Sequence, residues 1–178
     1  MARLVIDGYG QLEINNCAFR RDGRIEAQCA LDTTDFNGKV AENGMILAVD
    51  NVNRVVKFAI DTSLPVAINY SSEHIYSEKT PGLKNFALGT NDFYPRLGYL
   101  SVGDKFTTNC ISYNTTEFAT ETALKSAVES GTVYGTTSSD GSIAISTTVP
   151  TVGVVLRAVK GTTMPDGQYG VKFQVYNA

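Results

Sequence analysis

Alternation of apolar and polar residues is the main pattern of this chain. It is clearest in "RIEAQCAL" at 24–31, "GSIAIS" at 141–146 and "VKFQVY" at 171–176. Successive side chains of a β-strand point to opposite faces of a sheet, so each stretch predicts a half-buried strand. The apolar faces predicted in this way are Ile25, Ala27, Cys29 and Leu31; Ile143 and Ile145; and Val171, Phe173 and Val175.

Turn-forming residues separate these stretches. Asp22-Gly23 joins "CAFRR" to "RIEAQC" and predicts a tight hairpin, because Asp-Gly accommodates positive φ values. Residues 50–53 predict a second hairpin between "MILAVD" and "RVVKFAI". Pro165-Asp166-Gly167 predicts a turn before the last strand, since proline presets φ and glycine adopts the left-handed conformation.

One segment, at 116–130, has helical rather than strand periodicity. Asn114 or Thr115 is placed to cap it, and Gly131 is placed to end it. Glu121 and Lys125 are spaced to pair one turn apart. Its apolar stripe consists of Leu124, Ala127 and Val128. The Ser/Thr-rich residues 132–151 that follow fit either a flexible linker or strands joined by polar turns, and Ile143 and Ile145 favour the strands.

The stretch "YPRLGYLSVGDKFTTN" at 94–109 predicts a strand, a turn and a second strand. Tyr94 precedes a proline and is therefore biased toward extended backbone. Gly103-Asp104 marks the turn. The predicted apolar side of the first strand is Leu97, Tyr99 and Val102, and the side chains predicted to face away from Phe106 are Lys105, Thr107 and Asn109.

These elements predict a mainly β fold: a small barrel or sandwich built of hairpins, with one short helix near 116–130. The chain has 178 residues, which suits one domain or two small ones. We expect an N-terminal hairpin arm at 1–37 and a β-rich domain at 38–178. A separate outer subdomain at 113–151 is the alternative within that domain.

Composition narrows the possible partners. Fifteen basic and eighteen acidic residues give a net charge of −3, which offers no general support for nucleic-acid binding. The N-terminus lacks the apolar segment of a secretory signal, and no window resembles a membrane span. We therefore expect a protein made in a reducing cytoplasm, with no nucleic-acid or membrane partner. Cys17, Cys29 and Cys110 are expected to be buried free thiols.

Candidate chemistry is sparse. His74 is the one histidine, and no nucleophile motif accompanies it, so a surface histidine is the favoured interpretation. Asp32 and Asp35, like Asp50 with its neighbouring asparagines, are interpreted as turn formers rather than calcium ligands. The sequence therefore predicts no catalytic residue, no metal site and no cofactor.

Aromatic residues are concentrated in one third of the chain. Those at positions 70–99 are Tyr70, Tyr76, Phe86, Phe93, Tyr94 and Tyr99. They fit equally well a core whose tyrosine hydroxyls reach the rim, or a protein-binding surface, where tyrosine and arginine are favoured. Under the second hypothesis, the candidate interface residues are Tyr94, Arg96 and Tyr99.

The order of motifs in 38–112 and 152–178 resembles a known group of proteins. The stretches concerned are "VAENGMILAVDNVNRVVKFA", "PVAINYSSEHIY", "LKNFALGTNDFYPRLGYLSVGDKFTTN" and "LRAVKGTTMPDGQYGVKFQVYN". Together they resemble tailed-bacteriophage head decoration proteins, also called capsid cement or auxiliary proteins. The matched stretches cover a little over half of the chain and contain no catalytic motif.

The resemblance implies a non-enzymatic virion protein that binds and stabilises the outer surface of a capsid. Its partner would be the lattice of the major capsid protein, assembled in the cytoplasm of the host bacterium. Self-association into dimers or trimers is expected, because lattice binding gains from avidity. Two alternatives stay open: a tail-tube or connector subunit, and a carbohydrate-binding module that uses the aromatic cluster.

Overall fold

The computed structural model describes residues 10–58, 63–71, 88–90, 94–165 and 167–178. These residues form thirteen strands and two helices. The strands are β1 (Leu12–Asn16), β2 (Ile25–Glu26), β3 (Ala30–Leu31), β4 (Ile46–Asp50), β5 (Val55–Phe58), β6 (Val66–Asn69), β7 (Leu97–Tyr99), β8 (Lys105–Thr108), β9 (Ile111–Tyr113), β10 (Tyr134–Thr137), β11 (Ile143–Ser146), β12 (Val155–Thr163) and β13 (Tyr169–Asn177). The helices are α1 (Ala18–Asp22) and α2 (Glu121–Glu129).

The strands form two sheets. The seven-stranded sheet has the order β1-β8-β13-β12-β10-β11-β9, and the six-stranded sheet has the order β2-β7-β6-β4-β5-β3. Neighbours are antiparallel except for β9 with β11 and β3 with β5. The predicted mainly β class is confirmed. Because neither sheet closes on itself within the described strands, the fold is a sandwich rather than a barrel.

Two apolar clusters hold the layers together. The first joins the sheets and α2: it contains Ile46 and Ala48 from β4, Phe106 from β8 and Phe173 from β13. The second lies on the opposite side of β4 and is completed by the segment 29–41. Its buried members are Cys29, Leu31, Phe36, Ala41, Leu47, Val49, Val56, Phe58, Ala67, Leu88 and Leu97. The six-stranded sheet therefore has packed apolar residues on both faces.

The hairpin predicted at Asp22-Gly23 is wrong. Within "CAFRR", Cys17 precedes helix α1 and the other four residues belong to it. Gly23, with φ of 69°, ends that helix in the left-handed conformation. Helix α1 buries Phe19 against Tyr70, with 5.2 Å between the ring centroids. The predicted apolar face of "RIEAQCAL" is wrong in its first half, because the chain leaves the sheet after β2 and Ile25 and Ala27 are exposed.

The segment predicted as an N-terminal arm contributes to both sheets. In the described part of 1–37, β1 pairs with β8 of the seven-stranded sheet. Strands β2 and β3 pair with β7 and β5 of the six-stranded sheet. Similarly, the proposed outer subdomain at 113–151 supplies α2, β10 and β11, whose buried residues belong to the first cluster.

The predicted helix exists but is shorter than 116–130. Thr120 caps it instead of Asn114 or Thr115: its Oγ1 accepts a hydrogen bond from the amide of Ala123 at 3.2 Å. Asn114 instead closes the preceding turn, where its carbonyl accepts from the amide of Phe118 at 2.8 Å. Two further predictions are confirmed: Glu121 and Lys125 pair at 2.6 Å, and Gly131 follows the helix with φ of 70°.

Three turn predictions are confirmed. Asp50 Oδ1 accepts from the amides of Val52 and Asn53 in the β4–β5 hairpin, at 3.1 and 3.0 Å. Residues 164–168 connect β12 to β13, with the amide of Met164 donating to the carbonyl of Gln168 at 2.8 Å. The segment 132–151 forms the β10–β11 hairpin rather than a flexible linker, and it buries Ile143 and Ile145.

The stretch 94–109 crosses from one sheet to the other. Its first strand is β7 of the six-stranded sheet, and its second is β8 of the seven-stranded sheet. The intervening turn leaves Val102 70% exposed, so its predicted place on the apolar side is wrong. The buried carboxylate of Asp104 accepts from the amides of Ser101 at 2.9 Å and Ala18 at 2.7 Å. Asp104 therefore caps α1 from a distant part of the chain.

Replacing Gly98 with alanine should destabilise the protein. A Cβ at Gly98 would lie 2.4 Å from Cδ2 of the fully buried Phe19 ring. We expect the free energy of unfolding to fall by about 1–3 kcal/mol, as for other overpacked cores. Urea denaturation measures the change. In the double variant G98A/F19L the loss should be smaller than the sum of the two single losses, and simple additivity would contradict this packing.

Removing the Asp104 carboxylate should have an effect of similar size. D104A leaves the amides of Ala18 and Ser101 without their acceptor, and we expect a loss of about 1–3 kcal/mol in the free energy of unfolding. D104N keeps one acceptor oxygen and should lose less. Equal urea midpoints for D104A and the unaltered protein would show that this cap contributes nothing.

Candidate protein-binding surface

The three interface residues predicted from the sequence have different environments. Tyr94 is 58% exposed and lies outside the strands. Arg96 is half-buried, and its guanidinium carbon lies 5.8 Å from the ring centroid of the buried Tyr70. Tyr99 is half-buried against the second apolar cluster. Burial raises the pKa of Tyr99, while a hydrogen bond with Asn51 acts against this increase. The interface role of all three residues stays a prediction.

Much of the predicted aromatic cluster is not described. Tyr76, Phe86, Phe93 and His74 lie outside the described residues. Tyr70 is buried and packs on Phe19, which fits the core interpretation of that residue.

A second surface emerges from the register of the seven-stranded sheet. Val171, Phe173 and Val175 of β13 are buried in the first cluster, so the alternate residues of this strand point away from the core. Residues directly opposite each other in antiparallel strands share a face. This rule extends the surface across β12, β10, β8 and β1. We call it the outer face, defined by Glu13, Lys105, Tyr134, Arg157, Lys160, Lys172, Gln174 and Tyr176. Thr107 shares this register but is buried.

Arg157 lies at the centre of the outer face, between two tyrosines. Tyr134 on β10 is its direct cross-strand partner. On the other side its guanidinium carbon lies 5.9 Å from the ring centroid of Tyr176, and Nη1 donates to the Tyr176 hydroxyl at 3.4 Å. Nη2 donates to the carbonyl of Gly131 at 3.5 Å. This arrangement presents a tyrosine–arginine–tyrosine row, the residue types most enriched in protein interfaces.

Three lysines on β8, β12 and β13 lie beside this row. Lys160 and Lys172 are direct partners across β12 and β13, and Lys105 is opposite Gln174. Glu13 is the acidic residue that the register of the described strands places on this face. The sequence indicated that Lys172 and Tyr176 face away from the core. It did not reveal the surface, because the strand order that assembles these side chains is set by tertiary structure.

The structure also contains a cleft of about 340 Å³ beside α2. Ile111, Tyr113, Leu124, Tyr169 and Glu121 contribute to its lining. Lys125 Nζ lies 4.9 Å from the ring centroid of Tyr169. Burial raises the pKa of Tyr169, and the nearby carboxylates of Glu129 and Glu121 add to the increase. The lining residues do not include a serine, cysteine or histidine that would supply a nucleophile and its base.

The three cysteines are free thiols, as predicted, but the prediction that all three are buried is wrong for Cys110. Cys17 and Cys29 are buried, whereas Cys110 is half-buried. Burial, with smaller effects of nearby carboxylates, raises the pKa of Cys17 and of Cys110 to about 12. The reactive and metal-binding form of cysteine is the thiolate, so these two side chains are unreactive at neutral pH.

The acidic residues of the predicted turns form hydrogen bonds with their own loops. Asp32 Oδ1 accepts from the amides of Thr34 and Asp35, at 2.8 and 3.1 Å, which confirms the turn interpretation. Hydrogen bonds from Asn53, aided by Lys57, lower the pKa of Asp50 although burial opposes this. In the part of the chain that the structure describes, no three acidic, histidine or cysteine residues form a metal-binding group. The helices in that part are too short or too polar to span a bilayer.

No model of a known protein family matches this chain, and comparison with the curated proteins and with the solved structures gives no significant match. The functional interpretation therefore depends on the outer face and on the resemblance noted from the sequence.

The protein should lose stability at alkaline pH because of its thiols. Cys17 and Cys110 ionise near pH 9.0 when unfolded but near pH 12 when folded. Their stabilising effect is therefore complete below pH 9 and is lost progressively between these two values. Urea denaturation across this range should show a flatter pH dependence for C17A/C110A than for the unaltered protein. Parallel curves would contradict the assignment.

Proposed function

We propose that this protein is a non-enzymatic structural component of a tailed-phage virion that binds the outer surface of the capsid and stabilises it. The resemblance of residues 38–112 and 152–178 to head decoration proteins suggests the partner. The outer face of the seven-stranded sheet is the observation that supports a docking role, because its centre is the tyrosine–arginine–tyrosine row, whose residue types are favoured in interfaces.

The dimensions of the outer face suit a small protein contact. The five strands that carry it, β1, β8, β13, β12 and β10, are spaced about 4.8 Å apart and make it about 19 Å wide. Strands β12 and β13, of nine residues each, are about 30 Å long. Since β1, β8 and β10 are shorter, the face covers on the order of 400 Å², about half of the area that one partner contributes to a standard interface.

A lattice partner would strengthen a modest individual contact. If copies associate as dimers or trimers, each additional subunit binds the shell at a high effective concentration. The bound protein would then bridge neighbouring capsid subunits and raise the temperature at which the shell ruptures. The lattice would be the major capsid protein, and assembly would take place in the host cytoplasm.

Binding to shells that lack the protein tests this proposal. Purified protein should co-sediment with such shells and raise their rupture temperature. Y176A/R157A removes the centre of the outer face and should weaken binding by about 30-fold or more, the scale of a hot-spot residue.

Tyr94 provides the matched control, because it is an exposed tyrosine that lies outside the outer face. Y94A should bind as the unaltered protein does. The opposite ranking would move the docking site to the surface predicted from the sequence. Absence of shell binding would refute the proposed function, and assembly of the purified protein into rings or tubes would favour the tail-tube alternative.

A further inference from the structure

The cations of the outer face lack carboxylate partners within the described structure. None of the ion pairs formed among the described residues involves Lys105, Lys160 or Lys172. In contrast, Lys57 lies 3.6 Å from Asp50, and Lys125 lies 2.6 Å from Glu121. The lysines of the outer face are therefore unlike those of β5 and α2, which have an acidic neighbour.

Two of these lysines occupy an unfavourable position. Lys160 and Lys172 are directly opposite each other on β12 and β13. Like charges directly opposite each other in antiparallel strands destabilise a sheet. An anionic group placed over β12 and β13 would neutralise both of them, so the fold bears a small penalty that a suitable partner would relieve.

Charge is distributed unevenly over the molecule. The outer face has four cations and one carboxylate, a formal charge of +3. The whole chain has −3, so the rest of the chain carries −6. Complementary potentials orient a charged partner during encounter and reject partners of the wrong sign. The basic face therefore favours approach of an acidic surface by this side of the molecule.

We infer that the outer face docks an acidic protein surface. The identity of that surface as a capsid exterior rests on the proposed function, but the acidic preference is a property of the face itself. The tyrosine–arginine–tyrosine row supplies the packed centre of the contact, and the lysines pair with carboxylates around it. Such pairs control orientation and association rate more than affinity.

A single-stranded nucleic acid fits this surface less well. Proteins of that class combine a basic groove with aromatic rings on which bases stack. The outer face belongs to an open sheet, and Arg157 lies over the ring of Tyr176. The negative charge elsewhere on the chain would also repel a long polyanion.

Charge reversal on the face tests the inference on capsid shells. K160E/K172E should bind shells at least about tenfold more weakly than the unaltered protein, because like charges then oppose each other. R21E/K39E changes the net charge equally at two exposed residues outside the outer face, and it should bind normally. Shell binding that is equal for both double variants would refute the acidic docking surface and leave the proposed function intact.

A second measurement does not depend on shells. We expect a short oligoglutamate peptide to shift the amide resonances of β8, β12 and β13 in the folded protein, and added salt should abolish the shifts. The same peptide should leave K160E/K172E unchanged. Shifts confined to other strands, stronger binding of an oligothymidylate, or self-association through this face in place of peptide binding would each overturn the inference.

Discussion

Burial of β4 on both faces is the constraint on which the rest of the structure depends. All five residues of this strand are buried. Ile46 and Ala48 point into the first cluster, and Leu47 and Val49 point into the second. A strand in this position needs a continuous apolar run and a cover on each side. The seven-stranded sheet provides one cover, and the segment 29–41 provides the other.

The covers are connected by contacts between distant parts of the chain. Asp104 lies where the chain passes from β7 to β8, and its carboxylate caps a helix that begins 86 residues earlier. Gly141, in the β10–β11 turn, accepts a hydrogen bond from the amide of Ile46 at 2.9 Å, and a Cβ at this position would lie only 3.1 Å from Cδ2 of Leu47. The first link joins two segments that each pass between the sheets, and the second joins β4 of the six-stranded sheet to a turn of the seven-stranded sheet.

Local patterns predicted the elements whose structure is determined by neighbouring residues. "VKFQVY" lies in β13, with Val171, Phe173 and Val175 buried. The alternation predicts this strand well because β13 has a partner on each side: β12 pairs along its length, and β8 pairs with its centre. The hairpin predicted at Asp22-Gly23 is wrong because the preceding residues form a helix. The carboxylate of Asp104 accepts a hydrogen bond from the amide of Ala18 at the start of that helix, and no local pattern indicates so distant a partner. The helix predicted at 116–130 is too long because Asn114 and Thr120 are both suitable caps, and it is Thr120 whose Oγ1 accepts from the amide of Ala123.

The outer face illustrates the same limit for function. Period two shows which side chains of β13 point outward. In β12 a register shift between Ala158 and Lys160 breaks the alternation, and the pairing of Lys160 with Lys172 depends on the order β13-β12. In a pleated strand the outward residues alternate with core residues without sharing their contacts. The outward side can therefore acquire cations while Phe173 and Val175 keep the fold. A basic docking face on an acidic chain is compatible with a stable sandwich because the two sets of side chains occupy opposite sides of the same backbone.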